Sequence, residues 1–284
     1  VGKKDVAIGC ITGYDFDKIK PWVNSLDRSG FDGHKIMFCY NIGYDVANEL
    51  MKRNYEVIGF EKDDANNRLK YSDPNLSIVL DRFYHIWNSL KDRKGQYRYV
   101  IATDVKDVVF QTNPSEWLEK NLGDKKINVA CESIRYCDEP WGDHNLFKSF
   151  GPLIHAHNRN NLIFNAGTLS GDFDTMIDLF LNLYLSCGGS PRHVEGGGGP
   201  DQAALNVLLN LKPYKDITRF TMSEEGWAAQ LGTTGPQVNF NVVEPKPIIK
   251  DSGIVTTSKG VPFVMVHQYD RVPEWKKLIE LIYS

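Results

Sequence analysis

Two aspartates three residues apart, Asp104 and Asp107, close an apolar run that begins at Tyr99 and resumes through Val108, Val109 and Phe110. An apolar, β-branched segment of this kind reads as a buried strand of an α/β sheet, and ligands collect at the carboxyl ends of such strands. Paired carboxylates at such an end suit a hard divalent cation, which takes oxygen ligands and bridges phosphate oxygens. The same pattern also fits an ordinary strand-to-loop junction with solvated acids. Side chains alternate along a strand, so Asp104 and Asp107 reach one cation only if the chain breaks into a turn near Lys106. A late histidine, His267, follows an apolar run from Val261; it is either a satisfied strand-end histidine or a third ligand.

These residues must be carried by a globular scaffold. The chain has 284 residues, 42% hydrophobic and 24% charged, which is ample for a sizeable core. Its formal net charge of −3 argues against a nucleic-acid footprint, normally a basic face. No apolar run is long enough for a membrane span, and Val1-Gly2-Lys3-Lys4-Asp5 does not read as a signal peptide. The five cysteines, Cys10, Cys39, Cys131, Cys137 and Cys187, form no C-x-x-C pair, and their odd count favours a reducing, cytoplasmic setting.

The N-terminal half alternates strand and helix: strands at 5–12, 35–40, 55–60 and from 99, with helices at 16–28, 44–53 and from Asp73-Pro74 to about Lys91. That order predicts an α/β fold whose central sheet is mainly parallel and flanked by helices. The second half is less regular. Strands are expected at 128–133, 161–169, 238–243 and 261–267, and helices at 172–186, 200–210 and from about Pro273. The polar, aromatic stretch 134–161 reads as a long functional loop, and Gly196 to Gly199 as a mobile flap.

Four landmarks together resemble the GT-A glycosyltransferases, on the branch of glycogenin-like and bacterial galactosyltransferase enzymes. They are the Asp104/Asp107 segment followed by Asn113-Pro114, then Phe164-Asn165-Ala166-Gly167-Thr168, then Pro200-Asp201-Gln202, and finally Val266-His267-Gln268-Tyr269. The resemblance covers most of the chain and implies a single Rossmann-like GT-A domain over residues 1–284, with a nucleotide-binding half at 1–115 and an acceptor half at 116–284. It departs from the family's Asp-x-Asp spacing, and aligning the following apolar residues makes Asp107 the firmer ligand. It implies a cation, Mn2+ ahead of Mg2+ for a set containing an imidazole, held by Asp104, Asp107 and His267. Asp104 alternatively contacts the ribose or the sugar.

The resemblance also implies that Thr12, Gly13 and Tyr14 hold the base of a UDP-sugar, that Arg82 reaches the diphosphate or donor, and that Asn165, Ala166 and Gly167 lie beside the donor sugar; as a bare sequence feature Arg82 is equally a solvated residue or an ion-pair partner near Asp81. Asp201 and Gln202 then face the sugar, with Asp201 a sugar ligand or the acceptor's general base; as a bare sequence feature, Asp201 is equally a helix cap. Glu132 is a further acid near the sugar. Trp141 and Trp227 offer flat faces for an acceptor, and His155 and His157 share a side if their segment is extended. The expected partners are a nucleotide-sugar and a glycan or glycoprotein acceptor. Competing readings are a sugar-phosphate nucleotidyltransferase, disfavoured because no basic residue occupies the loop Gly9 to Asp15, and a silent carbohydrate-binding module of the same fold.

Overall fold

The computed structural model describes residues 4–195 and 197–284. Its first half follows the sequence pattern closely. Strand β1 (Lys4–Thr12) leads through Asp15, whose carboxylate accepts from Lys18 N at 2.9 Å and so starts helix α1 (Phe16–Arg28). Strand β2 (His34–Tyr40), helix α2 (Tyr44–Lys52) and strand β3 (Tyr55–Gly59) follow, then helix α3 (Ile78–Leu90) and strand β4 (Tyr97–Thr103). Helix α3 starts later than the Asp73-Pro74 signal. That pair instead forms a turn, with Asn75 N bonded to Asp73 Oδ1 at 2.8 Å, and the helix opens after Ser77.

The second half comprises β5 (Val108–Phe110), α4 (Pro114–Asn121), β6 (Ile127–Arg135), α5 (Pro140–Asn158), β7 (Leu162–Phe164), β8 (Thr168–Asp172), α6 (Phe173–Ser186), α7 (Asp201–Leu209), β9 (Thr218–Thr221), β10 (Ala228–Gln230), β11 (Met265–His267) and α8 (Pro273–Tyr283). The supposed long loop at 134–161 is thus mostly helix α5. Glu139 caps it, Pro140 occupies its first turn, and Gly151 with φ 73° joins two helical pieces across a kink. The expected strand at 161–169 is cut in two by Asn165–Gly167. No strand forms at 238–243, and only 265–267 of the segment 261–267 is extended. Of the glycine run, Gly196 lies outside the described residues.

The central sheet runs β7-β6-β8-β4-β1-β2-β3, with β9 beside β6. Strands β1 to β4 are mutually parallel where they pair, as expected, with Ile8 opposite Ile36 on one side and Ala102 on the other. Strand β8 is inserted antiparallel between β4 and β6, placing Thr168 opposite Thr103. A smaller sheet, β10-β11-β5, places His267 between Gln230 and Val108. The fold is therefore mixed α/β, with a mostly parallel central sheet flanked by helices.

Alternation along the strands feeds two apolar layers. Val6, Ile8, Phe38 and Val100 pack under α3 and α6 with Phe83 and Phe180, whereas Ile11, Ile101, Val105 and Phe110 pack with Trp22 of α1. Each such buried side chain contributes roughly 1.5–3 kcal/mol. All five cysteines are free. Among the described residues, no helix is long and apolar enough to cross a membrane.

Candidate active site

Strand β4 ends immediately after Thr103, whose hydroxyl accepts from Trp22 Nε1 at 2.8 Å. The chain then bends through 105–107 before β5, and Val105 turns into the core, 3% exposed. Gly9 of β1 leaves the room: a Cβ there would stand 2.6 Å from Val105 Cγ2. Asp104 N donates to Gly167 O at 2.9 Å, and Gln268 N donates to Asp107 O at 2.8 Å, so both ends of the bend are pinned. The break thus falls before Lys106, and it turns both acids to one side.

His267 Nε2 lies 3.6 Å from Asp104 Oδ2 and 3.7 Å from Asp107 Oδ1. One ligand atom from each of the three residues falls within 4.8 Å of the others. His267 Nδ1 sits 2.7 Å from Gln230 Oε1, and Gln230 Nε2 donates to Thr168 Oγ1 at 3.0 Å. The Gln230 oxygen therefore accepts from the His267 Nδ1–H and leaves Nε2 directed at the acids. Burial pushes the Asp107 carboxyl up, against His267 and with Asp104 adding to the rise. Burial acts the same way on Asp104, but the Arg82 guanidinium and His267 outweigh it and hold that carboxyl well below the usual range. Crowded carboxylates beside a fixed imidazole nitrogen form a donor set that suits a divalent cation.

Arg82, on the face of α3 turned to the sheet, bonds Asp104 through Nη1 and Asp201 through Nη2, the latter at 3.4 Å. Its Nε is buried without a partner among the described residues. Arg82 is thus neither solvated nor paired near Asp81, which bonds Arg192 instead. Asp201 is the first residue of α7, and the backbone N–H groups at the helix start, its own and that of Gln202, favour its charged form. Burial raises its carboxyl while Arg82 opposes the rise. The helix-start role open from sequence therefore stands beside the bond to Arg82.

The break between β7 and β8 supplies the next wall. Asn165 Nδ2 donates to Glu132 Oε1 at 2.6 Å and to Gln202 Oε1 at 3.2 Å, and Gln202 Oε1 also accepts from Ala166 N at 3.4 Å. Gly167 must be glycine for this approach: a Cβ would stand 2.7 Å from Asp104 Oδ2 and 2.8 Å from His267 Cε1. Glu132 is buried, and burial raises its carboxyl.

A cavity of about 580 Å³ opens onto these groups. Arg82, Asp104, Asn165, Ala166, Gly167, Asp201, Gln202 and His267 all line it, together with Glu132, Glu139, Trp141, Phe240, Gln268 and Arg271. Thr12, Gly13, Tyr14 and Asp107 do not line it. Gly13 N donates to Tyr40 O at 3.2 Å, and half-buried Tyr14 packs on the α1 layer. Burial raises the Tyr14 phenol; Lys106, Asp104 and Asp107 are among the charges it feels, so it neighbours the acidic bend.

Trp227 is fully buried and donates to Thr168 O at 3.2 Å, which removes it as an acceptor platform. His155 and His157 lie on a helix, about 200° apart around its axis, so they do not share a side. His155 instead meets Asp143 at 2.8 Å. Gln230, Glu139, Gln268 and Arg271 were not expected. Gln230 lies on a three-residue strand with no local motif, and only its pairing opposite His267 reveals it.

No protein-family model matches the sequence, and no curated protein does. Solved structures do match. The WbbM bifunctional glycosyltransferase superposes with a TM-score of 0.58 at 13% identity over 94% of this chain and 46% of that one, so the chain spans just under half of that protein. The galactosyltransferase LgtC, solved with donor and acceptor sugar analogues, gives 0.52 at 13% identity over 96% and 95% of the two chains. The apo-form glycosyltransferase GlyE of Streptococcus pneumoniae TIGR4 gives 0.54 at 14% over 99% and 62%. Identities this low speak to architecture, and with the sheet order above they show that the chain has a GT-A-like glycosyltransferase fold.

Proposed function

We propose that this protein is a metal-dependent glycosyltransferase, moving a sugar from a nucleotide-diphosphate sugar, a UDP-sugar, to a glycan or glycoprotein acceptor. One observation carries the reading: Asp104, Asp107 and His267 converge beside a cavity whose walls also hold Arg82, Asp201 and Gln202. The structural neighbours, named glycosyltransferases, support it. The whole chain then acts as one unit, with residues 1–115 serving the nucleotide and 116–284 the sugar and acceptor.

Asp104, Asp107 and His267 would hold Mn2+ or Mg2+; the ion supplies charge stabilisation to the diphosphate as the glycosidic bond breaks. Arg82 adds a fixed positive charge, kept in place by Asp104 and Asp201, that costs no reorganisation during the reaction. Gln202 and Asn165 are locked to each other and to Glu132, so their remaining polar atoms meet sugar hydroxyls in a set geometry. Asp201, raised by burial, is suited to bind a sugar hydroxyl or take the acceptor proton. Thr12 ends β1, and Gly13 and Tyr14 follow it, with Tyr14 beside the acidic bend; there the three would meet the base.

The test is calorimetric titration with UDP, with and without Mn2+, followed by a donor-hydrolysis screen over UDP- and GDP-sugars. Mn2+-dependent UDP binding that disappears in Asp107→Ala and weakens in Asp104→Ala is expected. Unimpaired Mn2+-dependent affinity in both variants would defeat the assignment. Glycan binding with no nucleotide affinity would point to a binding module instead.

A further inference from the structure

Helix α5 is partly turned inside out. The side it presents to the protein carries Asn145, Ser149 and Asn158, all buried and satisfied locally. Asn145 Nδ2 donates to Gly199 O at 3.0 Å, Ser149 Oγ to Asn145 Oδ1 at 3.3 Å, and Asn158 Nδ2 to Ile154 O at 2.9 Å. Leu146 and half-buried Phe150 supply the apolar packing on that side. Outside, Phe147 is 43% exposed, Leu153 85% and Ile154 36%, with exposed Pro152 beside them. The Gly151 kink separates Phe147 from the others along the helix, but its ring meets His155 edge-on, centroids 5.4 Å apart, so the two pieces carry one apolar patch. A single exposed apolar side chain needs no explanation, whereas a cluster of this kind marks a contact surface.

The charge around the patch is mostly positive. Residues 144–171 include Lys148 and Arg159 but no Asp or Glu, in a chain with 36 acids and only 33 bases. Lys148 and Arg159 are exposed, and they flank the apolar positions along the helix. Arg135 Nη1 donates to Asn160 O at 2.7 Å, which brings a third cation to the end that carries Arg159. The acids just before the patch are engaged elsewhere. Glu139 is buried and accepts from Trp141 N and Gly142 N, and Asp143 Oδ1 lies 2.8 Å from His155 Nε2 and 3.8 Å from Arg159 Nε. Asp138 stays half-exposed, and Glu195 belongs to the turn that leads to Gly198 beside Trp141, at the start of α5.

A second copy of the chain seated face to face on this patch would set Lys148 and Arg159 against their own equivalents. A bilayer carrying negative lipid fits better. Outward Phe, Leu and Ile enter the boundary between headgroups and acyl chains, while flanking Lys and Arg keep their charges at the phosphates. Among the described residues no helix is long and apolar enough to cross a membrane, so α5 would lie on the surface.

We propose that the Phe147–Ile154 stretch of α5 docks on an anionic lipid bilayer, resting in the headgroup region with Arg135, Lys148 and Arg159 toward the phosphates. The same helix begins with Trp141 at the cavity, and Asn145 holds the Gly199 wall, so a docked α5 ties the cavity to the lipid surface. The docking surface does not depend on the sugar-transfer reading.

The whole protein is mixed with vesicles of phosphatidylcholine alone, or of phosphatidylcholine and phosphatidylglycerol in equal parts, and binding is read by co-flotation. Binding to the anionic vesicles is expected, about 10-fold or more tighter than to the neutral ones and weakened by salt. Leu153→Gln should lower it by about 10-fold and Lys148→Gln by about 3-fold or more. Both side chains are exposed, so the melting temperature of each variant should stay at the wild-type value. Leu281→Gln, which removes an exposed leucine from α8, should bind as wild type. Failure to float with the anionic vesicles would overturn the proposal, as would undiminished binding by Leu153→Gln or an equal loss in Leu281→Gln. A dimer in sedimentation velocity that Leu153→Gln abolishes, without vesicle binding, would assign the patch to a contact between copies and overturn it as well.

Discussion

Gln230 holds the imidazole of His267 by its Nδ1 proton, at 2.7 Å, from the adjacent strand of the small sheet. The amide is itself fixed by Thr168, on the strand that neighbours β4 in the large sheet. The tautomer of His267, the third proposed cation ligand, is thereby set by residues from both sheets. Such outer partners commonly account for 10–100-fold in metal affinity.

Gln230→Ala should therefore weaken Mn2+-dependent UDP binding by roughly 10–100-fold. Binding of UDP alone should change little. Calorimetry at fixed UDP across a Mn2+ series reads the difference, and unchanged Mn2+ dependence would reduce Gln230 to a packing role.

Asp201→Asn separates charge from shape. Asn preserves the volume and can still accept from the first backbone N–H groups of α7. Turnover should fall by ~10²-fold, the scale of acid–base and positioning groups. UDP affinity should stay near wild type, because Arg82 keeps its bond to Asp104. Full transfer activity in this variant would remove Asp201 from the sugar end of the mechanism.

Gly9→Ala should act on the acidic bend from the neighbouring strand, where Gly9 pairs with Thr103. The new Cβ meets Val105 Cγ2 at 2.6 Å and Met37 Sδ at 2.9 Å. The methionine can move, but Val105 is fixed by the bend, so a cost of about 1–3 kcal/mol is expected. The melting temperature and Mn2+-dependent affinity should fall together. In a Val105→Ala background the same change should cost less, which thermal melts of the four proteins will show.

His85 gives a pH dependence. Its Nδ1 lies 2.9 Å from Tyr40 Oη and its Nε2 3.2 Å from Tyr71 Oη. Burial lowers its pKa, and Asp81 only partly opposes this. The unfolded chain then binds the extra proton more readily than the folded one. The contribution of neutral His85 is complete above the unfolded value of about 6.5 and is lost as pH falls from there through the lowered folded value. The melting temperature should drop between about pH 7 and pH 5, and less so in His85→Gln, where the amide can still bond both phenols without titrating. Identical pH profiles would clear His85 of the effect.

The alternating half of the chain was legible because each element carries its own signal: buried β-branched runs, an Asp15 cap, an apolar stripe on α3. Asp104, Asp107, Asp201 and His267 stood out by residue type and order. What escaped had its cause elsewhere in the structure. Helix α5 looked like a loop because its glycines, proline and histidines are poor helix formers, yet Glu139 starts it and Gly151 lets it bend. Asp73-Pro74 looked like a helix start because a turn uses the same residues. The break after Thr103 is decided by Gly9 on another strand, and Gln230 matters only through its position opposite His267.

The pairing of β5 with β11 has a consequence for how the protein is made. Strands β1 to β3 pair between neighbours in the chain and β1 meets β4 through Val6 and Val100, whereas β11 reaches back from Val266 to Val109. Closing that large loop is slow and is rewarded only at the end. A polypeptide still emerging from a ribosome carries Asp104 and Asp107 in sight of each other but without their histidine. Cation affinity of the proposed Asp104, Asp107 and His267 set would therefore arise only after the late segment has docked against Val108–Phe110.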